Sequence, residues 1–245
     1  MHLSRLEINE QGLPADVELL RLAESPSTNT EALSGPANHR RLVWTPRQTA
    51  GRGRGANVWQ AQPGCLTFTY LEPDPGIPVE KLPTTSLIAA LALADALRPL
   101  VPVQLKWPND VYAKDRKISG ILVENHPENA LVVGIGINLT NDVSDINLPA
   151  INLLQAGAAE EQIDATSLVV RWIEHFQDLL ELSRNGDLRL AEAWRPLCWL
   201  SGKQVAMDRG VSGVCRGIDP SGGVLLENDS GIHVVHGGTV ARVQI

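Results

Sequence analysis

The run TTSLIAALALADAL, residues 84–97, is apolar on almost every side and carries a single charge, Asp95, in fourteen positions. Its alanine and leucine content predicts a helix, which Arg98-Pro99 ends. A helix without a polar face has to be enclosed, so the rest of the chain must supply layers around it. Strand signals are at hand in VELLRLAES (17–25), RRLVWTPRQ (40–48), CLTFTYL (65–71), VPVQLKW (101–107), KISGILVEN (117–125) and ALVVGIGINL (130–139), with PND and HPEN as turns. The last three read as neighbours in one mixed sheet. A second helix is expected over 166–184, where apolar residues recur every three or four positions, and a shorter one around LRLAEAWRPL ends at Pro196. STNTEAL begins a further short helix, because Thr28 and Glu31 have capping-box spacing.

From Cys198 onward short β-rich runs alternate with turns such as Asp219-Pro220 and Gly222-Gly223, which predicts a small antiparallel barrel. The expected layout is therefore α+β: a mixed-sheet body over 1–197, then an all-β unit over 198–245. With 245 residues and 43% hydrophobic content, a large domain and a small companion can both bury a core. The formal charge of −7 argues against nucleic-acid or anionic-membrane partners at long range. No apolar run reaches the roughly 18 residues of a membrane span, and the N-terminus is too polar for a signal peptide. Cys65, Cys198 and Cys215 are odd in number and widely spaced, which fits a reducing, cytoplasmic compartment. One region departs from the acidic average: between Glu31 and Glu72 there is no acid, but there are five arginines, Arg40, Arg41, Arg47, Arg52 and Arg54.

That basic region holds GRGRG, residues 51–55, a loop between two strands. It reads either as a flexible surface segment resembling RNA-binding RGG sequence, or as a backbone able to wrap a ligand while guanidinium forks hold carboxylate or phosphate. It lacks the ending of a Walker A loop and the spacing of a dinucleotide fingerprint. The second constellation, KWPNDVYAKDRKISG (106–120), contains three of the five lysines. Lys114, Asp115 and Arg116 read as a solvated turn. Lys106 ends an apolar strand, so its ammonium is aimed into a partly enclosed site; Asp110 is placed to orient it or to meet magnesium, and Lys117 opens the next strand. In VVGIGIN, Gly134 and Gly136 interrupt a strong strand, either as a bulge or to admit a flat ligand, with Asn138 offering an amide at its end. No histidine has metal-ligand spacing with partners, and no nucleophile elbow is present.

Taken together, STN (27–29), RQTAGRGRGANVW (47–59), KWPNDVY (106–112), RKISGILVE (116–124) and GIGIN (134–138) resemble the biotin protein ligases in order and approximate spacing, and the resemblance covers almost the whole chain. It implies a catalytic domain like those of class II aminoacyl-tRNA synthetases, followed by an SH3-like barrel. The implied reaction has two steps: biotin's carboxylate attacks the α-phosphate of MgATP, giving biotinyl-5′-AMP and pyrophosphate, and a lysine of a carboxylase's biotin carboxyl carrier domain then takes the biotinyl group. By motif position, Arg52, Lys106, Asp110 and Lys117 are the implied catalytic residues. Ser27, Thr28, Asn29, Gln48, Gly51, Arg52, Gly53, Arg54, Trp59, Lys106, Asn109, Lys117, Gly120 and Asn138 are implied to bind biotin or ATP, with Trp59 near adenine and Asp110 meeting Mg2+. Gly55, Ala56 and Asn57 stand where many bacterial members carry further basic residues, a departure that bears on how tightly the adenylate is held.

The resemblance leaves monomer or homodimer open. Fewer than 30 residues precede STN, so the expectation is a monofunctional ligase without an N-terminal DNA-binding domain. Its rivals are a lipoate or octanoate ligase on the same fold and a nucleic-acid-binding regulator using the arginine loop. The glycine-rich loop is expected to be a mobile lid that ligand contacts order.

Overall fold

The computed structural model describes residues 3–76, 82–146 and 148–244. In chain order they form β1 (Val17–Arg21), α1 (Thr28–Ser34), β2 (Arg40–Thr45), β3 (Gly51–Arg52), β4 (Val58–Trp59), β5 (Cys65–Glu72), α2 (Leu82–Leu97), β6 (Gln104–Lys106), β7 (Asp110–Ala113), β8 (Arg116–Asn125), β9 (Leu131–Asn138), α3 (Leu153–Ala156), α4 (Ala165–Asn185), α5 (Leu190–Trp194), β10 (Gln204–Met207), β11 (Ser212–Ile218), β12 (Val224–Asn228), β13 (Gly231–Val235) and β14 (Val240–Gln244). Seven strands make one mixed sheet, in the order β1-β2-β5-β9-β8-β7-β6. Only β1 and β2 pair in parallel; every other neighbour is antiparallel.

The all-apolar run is α2, enclosed as its composition demands, with Leu87, Ile88, Leu93 and Leu97 almost fully buried. It is covered by α4, whose one apolar stripe supplies Leu168, Trp172, Phe176 and Leu180. Trp172 stacks on Phe176 with ring centroids 4.9 Å apart and meets Phe68 and Tyr70 edge-on at 5.5 and 5.7 Å. Its indole N–H donates to the Ala89 carbonyl at 3.1 Å, so the one polar atom of this ring is satisfied inside the core. Asp164 caps α4 by accepting the Ser167 N–H at 2.7 Å, and Gly186, at φ 76°, ends it.

Strand alternation divides the sheet. Leu42, Trp44, Leu66, Phe68, Tyr70, Val133, Ile135 and Ile137 belong to the large core with α2 and α4. On the opposite face a smaller cluster joins Ala32 of α1 to Val43, Leu71 and Val132. The helix covers only part of that face.

Local chemistry differs from expectation in three places. α1 begins at Thr28 with Ser27 in the cap position, but no side chain caps it. The Thr28 N–H instead donates to Gln48 Oε1 at 2.9 Å, and the Glu31 carboxylate accepts from the Ser25 hydroxyl at 2.8 Å. β7 is a full strand, and its turn into β8 uses Lys114 and Asp115 at φ 47° and 60°. All three charged residues there are exposed, yet Asp115 also accepts the Trp199 indole N–H at 2.7 Å. Finally, the expected barrel is a five-stranded antiparallel sheet in the order β13-β12-β11-β10-β14. Register shifts at Ala206/Met207 and Cys215/Ile218 bend it, but among the described residues no pairing joins β13 to β14. This unit docks on the body through Trp107, whose indole N–H donates to the Gly222 carbonyl at 2.9 Å.

Replacing Trp172 by Ala should lower unfolding free energy by about 3–5 kcal/mol, and by clearly less when Phe keeps a ring in place. Urea denaturation followed by far-UV circular dichroism measures both.

Candidate functional site

One row of paired residues crosses the uncovered sheet face over six strands: Thr45, Thr67, Gly136, Gly120, Asp110 and Lys106. At its centre two consecutive positions have no side chain. The Trp59 indole lies there; a Cβ on Gly136 would stand 2.2 Å from its Cε2, and one on Gly120 would stand 3.3 Å from its Cζ3. The adjacent row, Val43, Thr69, Gly134 and Leu122, has an opening of its own. A Cβ on Gly134 would come within 1.9 Å of Asn29 Oδ1. The register of β9 is unbroken, so neither glycine marks a bulge. Both admit close approach, as the alternative reading expected, but what approaches is a side chain of the protein itself.

Above this floor is a cavity of about 300 Å³. One wall is polar and nearly buried: Ser27, Thr28 and Asn29 at the start of α1, with Gln48 facing them. Gln48 Oε1 accepts from the Thr28 N–H and hydroxyl at 2.9 and 3.2 Å. Asn29 Nδ2 donates to the Leu122 carbonyl at 3.2 Å and to Glu124 Oε2 at 2.8 Å. These bonds fix the side chains before any ligand enters.

The opposite wall is cationic. Lys117 Nζ sits 2.6 Å from Asp110 Oδ1 and 5.9 Å from the Trp59 ring centroid. Lys106 Nζ donates to the Tyr112 hydroxyl at 3.0 Å and lies 5.2 and 5.6 Å from the Tyr112 and Trp199 ring centroids. Burial lowers the Lys106 pKa from its ordinary value, with Asp110 opposing, and burial pushes the Tyr112 phenol up to about 12. The partner of Lys106 is thus a neutral phenol, leaving its charge open to an anion. Asn109 Nδ2 donates to the Ile121 carbonyl at 2.6 Å and holds the KWPND turn on β8.

GRGRG forms the roof. Gly51 and Arg52 pair with Trp59 and Val58 as a short hairpin, and the Gly53 N–H donates to the Asn57 carbonyl at 2.8 Å. Gly55 turns the hairpin at φ 61°, and a Cβ on Gly51 would stand 2.4 Å from the Trp59 carbonyl oxygen. The segment expected to be a mobile lid is thus held by specific bonds. Arg52 places Nη1 and Nη2 at 3.0 and 2.7 Å from the two Glu124 oxygens, and Arg54 Nη2 donates to the Gly238 carbonyl at 3.3 Å. Burial depresses the Arg54 pKa, yet an arginine stays charged at any ordinary pH. The cavity is completed by Val240, the first residue of β14, and by Thr239 just before it.

Of the residues singled out in the sequence, Ser27, Thr28, Asn29, Gln48, Arg52, Gly53, Arg54, Trp59, Lys106, Asn109, Asp110, Lys117 and Gly120 line this one cavity. Gly51 lies at the base of the hairpin. Asn138 is elsewhere: it is buried, donates to the Ile151 carbonyl at 3.3 Å and accepts from Asn141 Nδ2 at 3.1 Å, because Asn141 and Ile151 close over the strand end. Glu124, Thr67, Tyr112, Thr239 and Val240 were not anticipated. For Glu124 the signal was present, since Gly120, Leu122 and Glu124 alternate onto one face of β8. Among the described residues no group of three His, Cys, Asp or Glu side chains is arranged to hold a metal, and no helix is long and apolar enough to cross a membrane.

Residues 19–142 match the biotin/lipoate A/B protein ligase family, and residues 200–243 match the biotin protein ligase C-terminal domain. The biotin acetyl-CoA-carboxylase ligase of Mycobacterium tuberculosis is 30% identical over 239 residues, spanning 91% of this chain and 88% of its own. The like-named protein of Paracoccus denitrificans is 30% identical over 239 residues, spanning 87% of this chain and 96% of its own. Among solved structures, the biotin protein ligase of Aquifex aeolicus in complex with biotin and ATP superposes with a TM-score of 0.79 at 26% identity, covering 90% of this chain and 96% of that one.

Gly136→Ala should displace the Trp59 ring and lower stability by about 1–3 kcal/mol in chemical denaturation. Gly237→Ala, whose Cβ meets nothing within 4 Å, serves as the control and should leave stability unchanged.

Proposed function

The chain belongs to the biotin/lipoate A/B protein ligase family, and on that premise we propose that it is a biotin protein ligase that activates biotin with ATP and transfers it to a lysine of a carboxylase carrier domain. The observation that carries this reading is the polarity of the cavity: a pre-bonded hydrogen-bonding wall faces Lys106, Lys117 and Arg54 across a floor of glycines on which the Trp59 ring is seated.

Ser27, Thr28, Asn29 and Gln48 receive the fused ureido ring, and Lys117 holds the carboxylate at the far end of its acyl chain. The carboxylate oxygen then attacks the α-phosphorus of ATP; the bond to the pyrophosphate oxygen breaks, and biotinyl-5′-AMP forms. Two anions must meet, and their repulsion is offset by Lys106, Lys117 and Arg54, fixed in a water-poor site where such charges act strongly. Trp59 gives the adenine side a flat wall, and Asn109 sets the turn that carries Asp110. The magnesium belongs to the substrate, MgATP, which supplies charge neutralisation on the phosphates. Among the described residues lining the cavity Asp110 is the one carboxylate, and it fits as a single ligand, its other oxygen remaining with Lys117. In the second step the carrier lysine's uncharged amine attacks the acyl carbon and AMP leaves. The described cysteines carry free thiols, which supports a reducing, cytoplasmic setting.

The family's lipoate branch is the competing substrate class. A dithiolane offers no hydrogen-bond partners to the Ser27–Gln48 wall and would leave buried polar groups unpaired, a loss that discriminates strongly. Calorimetry should therefore show biotin binding at least about 100-fold more tightly than lipoate.

Incubation with biotin, MgATP and a carrier domain should release pyrophosphate and leave a biotinylated carrier lysine; neither product appearing would remove the proposal. Lys106→Ala should lower kcat/KM for adenylation about 100-fold. The Lys106 pKa lies below its ordinary value and the protonated form is needed, so activity should fall as pH rises through that lowered pKa. Lys106→Arg, which does not titrate, should move this alkaline limb to higher pH.

A further inference from the structure

The two arginines of GRGRG have different surroundings. Arg54 is half-buried, donates to a backbone carbonyl and lines the cavity. Arg52 gives its fork to Glu124 in two bonds of 3.0 and 2.7 Å, across 72 residues of sequence. A guanidinium committed to a carboxylate in this way cannot offer the same two donors to a phosphate without breaking the pair.

Glu124 is tied on its other side as well. Its Oε2, which takes the Arg52 bond, also accepts Asn29 Nδ2 at 2.8 Å. Asn29 Oδ1 accepts the Thr69 hydroxyl at 2.6 Å, which also lies 2.8 Å from the Thr28 hydroxyl, and Thr28 meets Gln48. A continuous polar chain therefore runs from the wall beneath α1 to the roof hairpin, and Glu124 is its one acidic member.

We propose that Glu124 is a positioning residue of this enzyme: it clamps the roof hairpin through Arg52 and couples that hairpin through Asn29 to the wall that receives the biotin ring. The inference rests on the biotin-ligase reading for its consequence, though not for its geometry. A ring bonded at Asn29 fixes the amide, the amide fixes the Glu124 carboxylate, and the carboxylate keeps the hairpin down over the acyl-adenylate until the carrier amine arrives. Glu124 takes no part in bond making or breaking. It sets how long biotinyl-5′-AMP stays enclosed, in a loop whose Gly55, Ala56 and Asn57 bring no charge of their own.

The test uses the full chain with Glu124→Gln, Arg52→Glu and the double exchange Arg52→Glu/Glu124→Arg, each checked by thermal melting. The first readout needs no ligand: hydrogen exchange of the amides in residues 51–59. The second is the rate at which biotinyl-5′-AMP escapes into solution with biotin and MgATP but no carrier, with single-turnover pyrophosphate release measured alongside. Glu124→Gln should speed both exchange and escape about fivefold or more and raise KM for biotin, with a much smaller effect on single-turnover pyrophosphate release. The double exchange restores the ion pair but puts a donor where Asn29 Nδ2 needs an acceptor, so it should bring amide exchange back toward wild type without restoring escape, whereas Arg52→Glu alone should exchange fastest. Wild-type exchange and escape in Glu124→Gln would overturn the clamp. So would a double exchange whose amides in residues 51–59 exchange no more slowly than those of Arg52→Glu, because the ion pair would then not hold the hairpin. If the wild-type protein makes no adenylate, the ligase reading falls, and exchange at residues 51–59 still decides the clamp.

Discussion

The Trp59 indole can lie flat on the central sheet because Gly136 and Gly120, paired side by side on β9 and β8, leave the backbone bare beneath it. Interiors are packed too closely for a ring to share that space with even a methyl group. Much follows from this contact. The ring's depth sets the height of the hairpin it ends, since Trp59 pairs with Gly51, and that hairpin is the roof. Lys117 takes its place against the ring and beside Asp110. With side chains in the row, the ring would rise, the roof with it, and the two walls would no longer converge on one volume.

The charges of the site follow a second constraint. An acidic chain of net charge −7 must attract anionic substrates locally, against its own long-range field. It does so by placing three cations around one cavity and balancing each differently. Lys117 is paired with a carboxylate, Lys106 with a phenol and two aromatic faces, and Arg54 with a backbone carbonyl. Arg52, drawn from the same glycine-rich stretch, is neutralised by Glu124 and serves geometry instead.

Periodicity made α2, α4 and most of the strands legible, because burial of an all-apolar run and of a 3.6-residue stripe leaves few alternatives. The candidate site came from motifs rather than periodicity: thirteen of the residues implied by the family resemblance line one cavity. What was illegible depended on pairing register. GIGIN alone does not say whether its glycines make a bulge or a floor; that is decided by Gly120 standing opposite Gly136, fixed only when β8 and β9 are aligned. Glu124 shares a face with Gly120 by simple alternation, but its partners come from residues 29 and 52, far away in sequence. Asn138 has the right strand and the right face for the cavity, and is removed from it by Asn141 and Ile151, which close over the strand end. Capping-box spacing located α1 while its bonds went to Gln48 and Ser25, because a tertiary acceptor and a tertiary donor outcompeted the local pair.

One cavity, floored by the Trp59 ring on its glycines and roofed by the hairpin, is proposed to hold the biotin ring and the nucleotide at its two ends. A crystal structure with biotin and a non-hydrolysable ATP analogue tests it most directly. The expected result is the ureido ring bonded to Ser27, Thr28, Asn29 and Gln48, with the phosphates at Arg54, Lys106 and Lys117, Trp59 still seated on Gly136, and Arg52 still paired with Glu124. A biotin ring bound away from the α1 wall, or phosphates bound away from that cationic cluster, would contradict it.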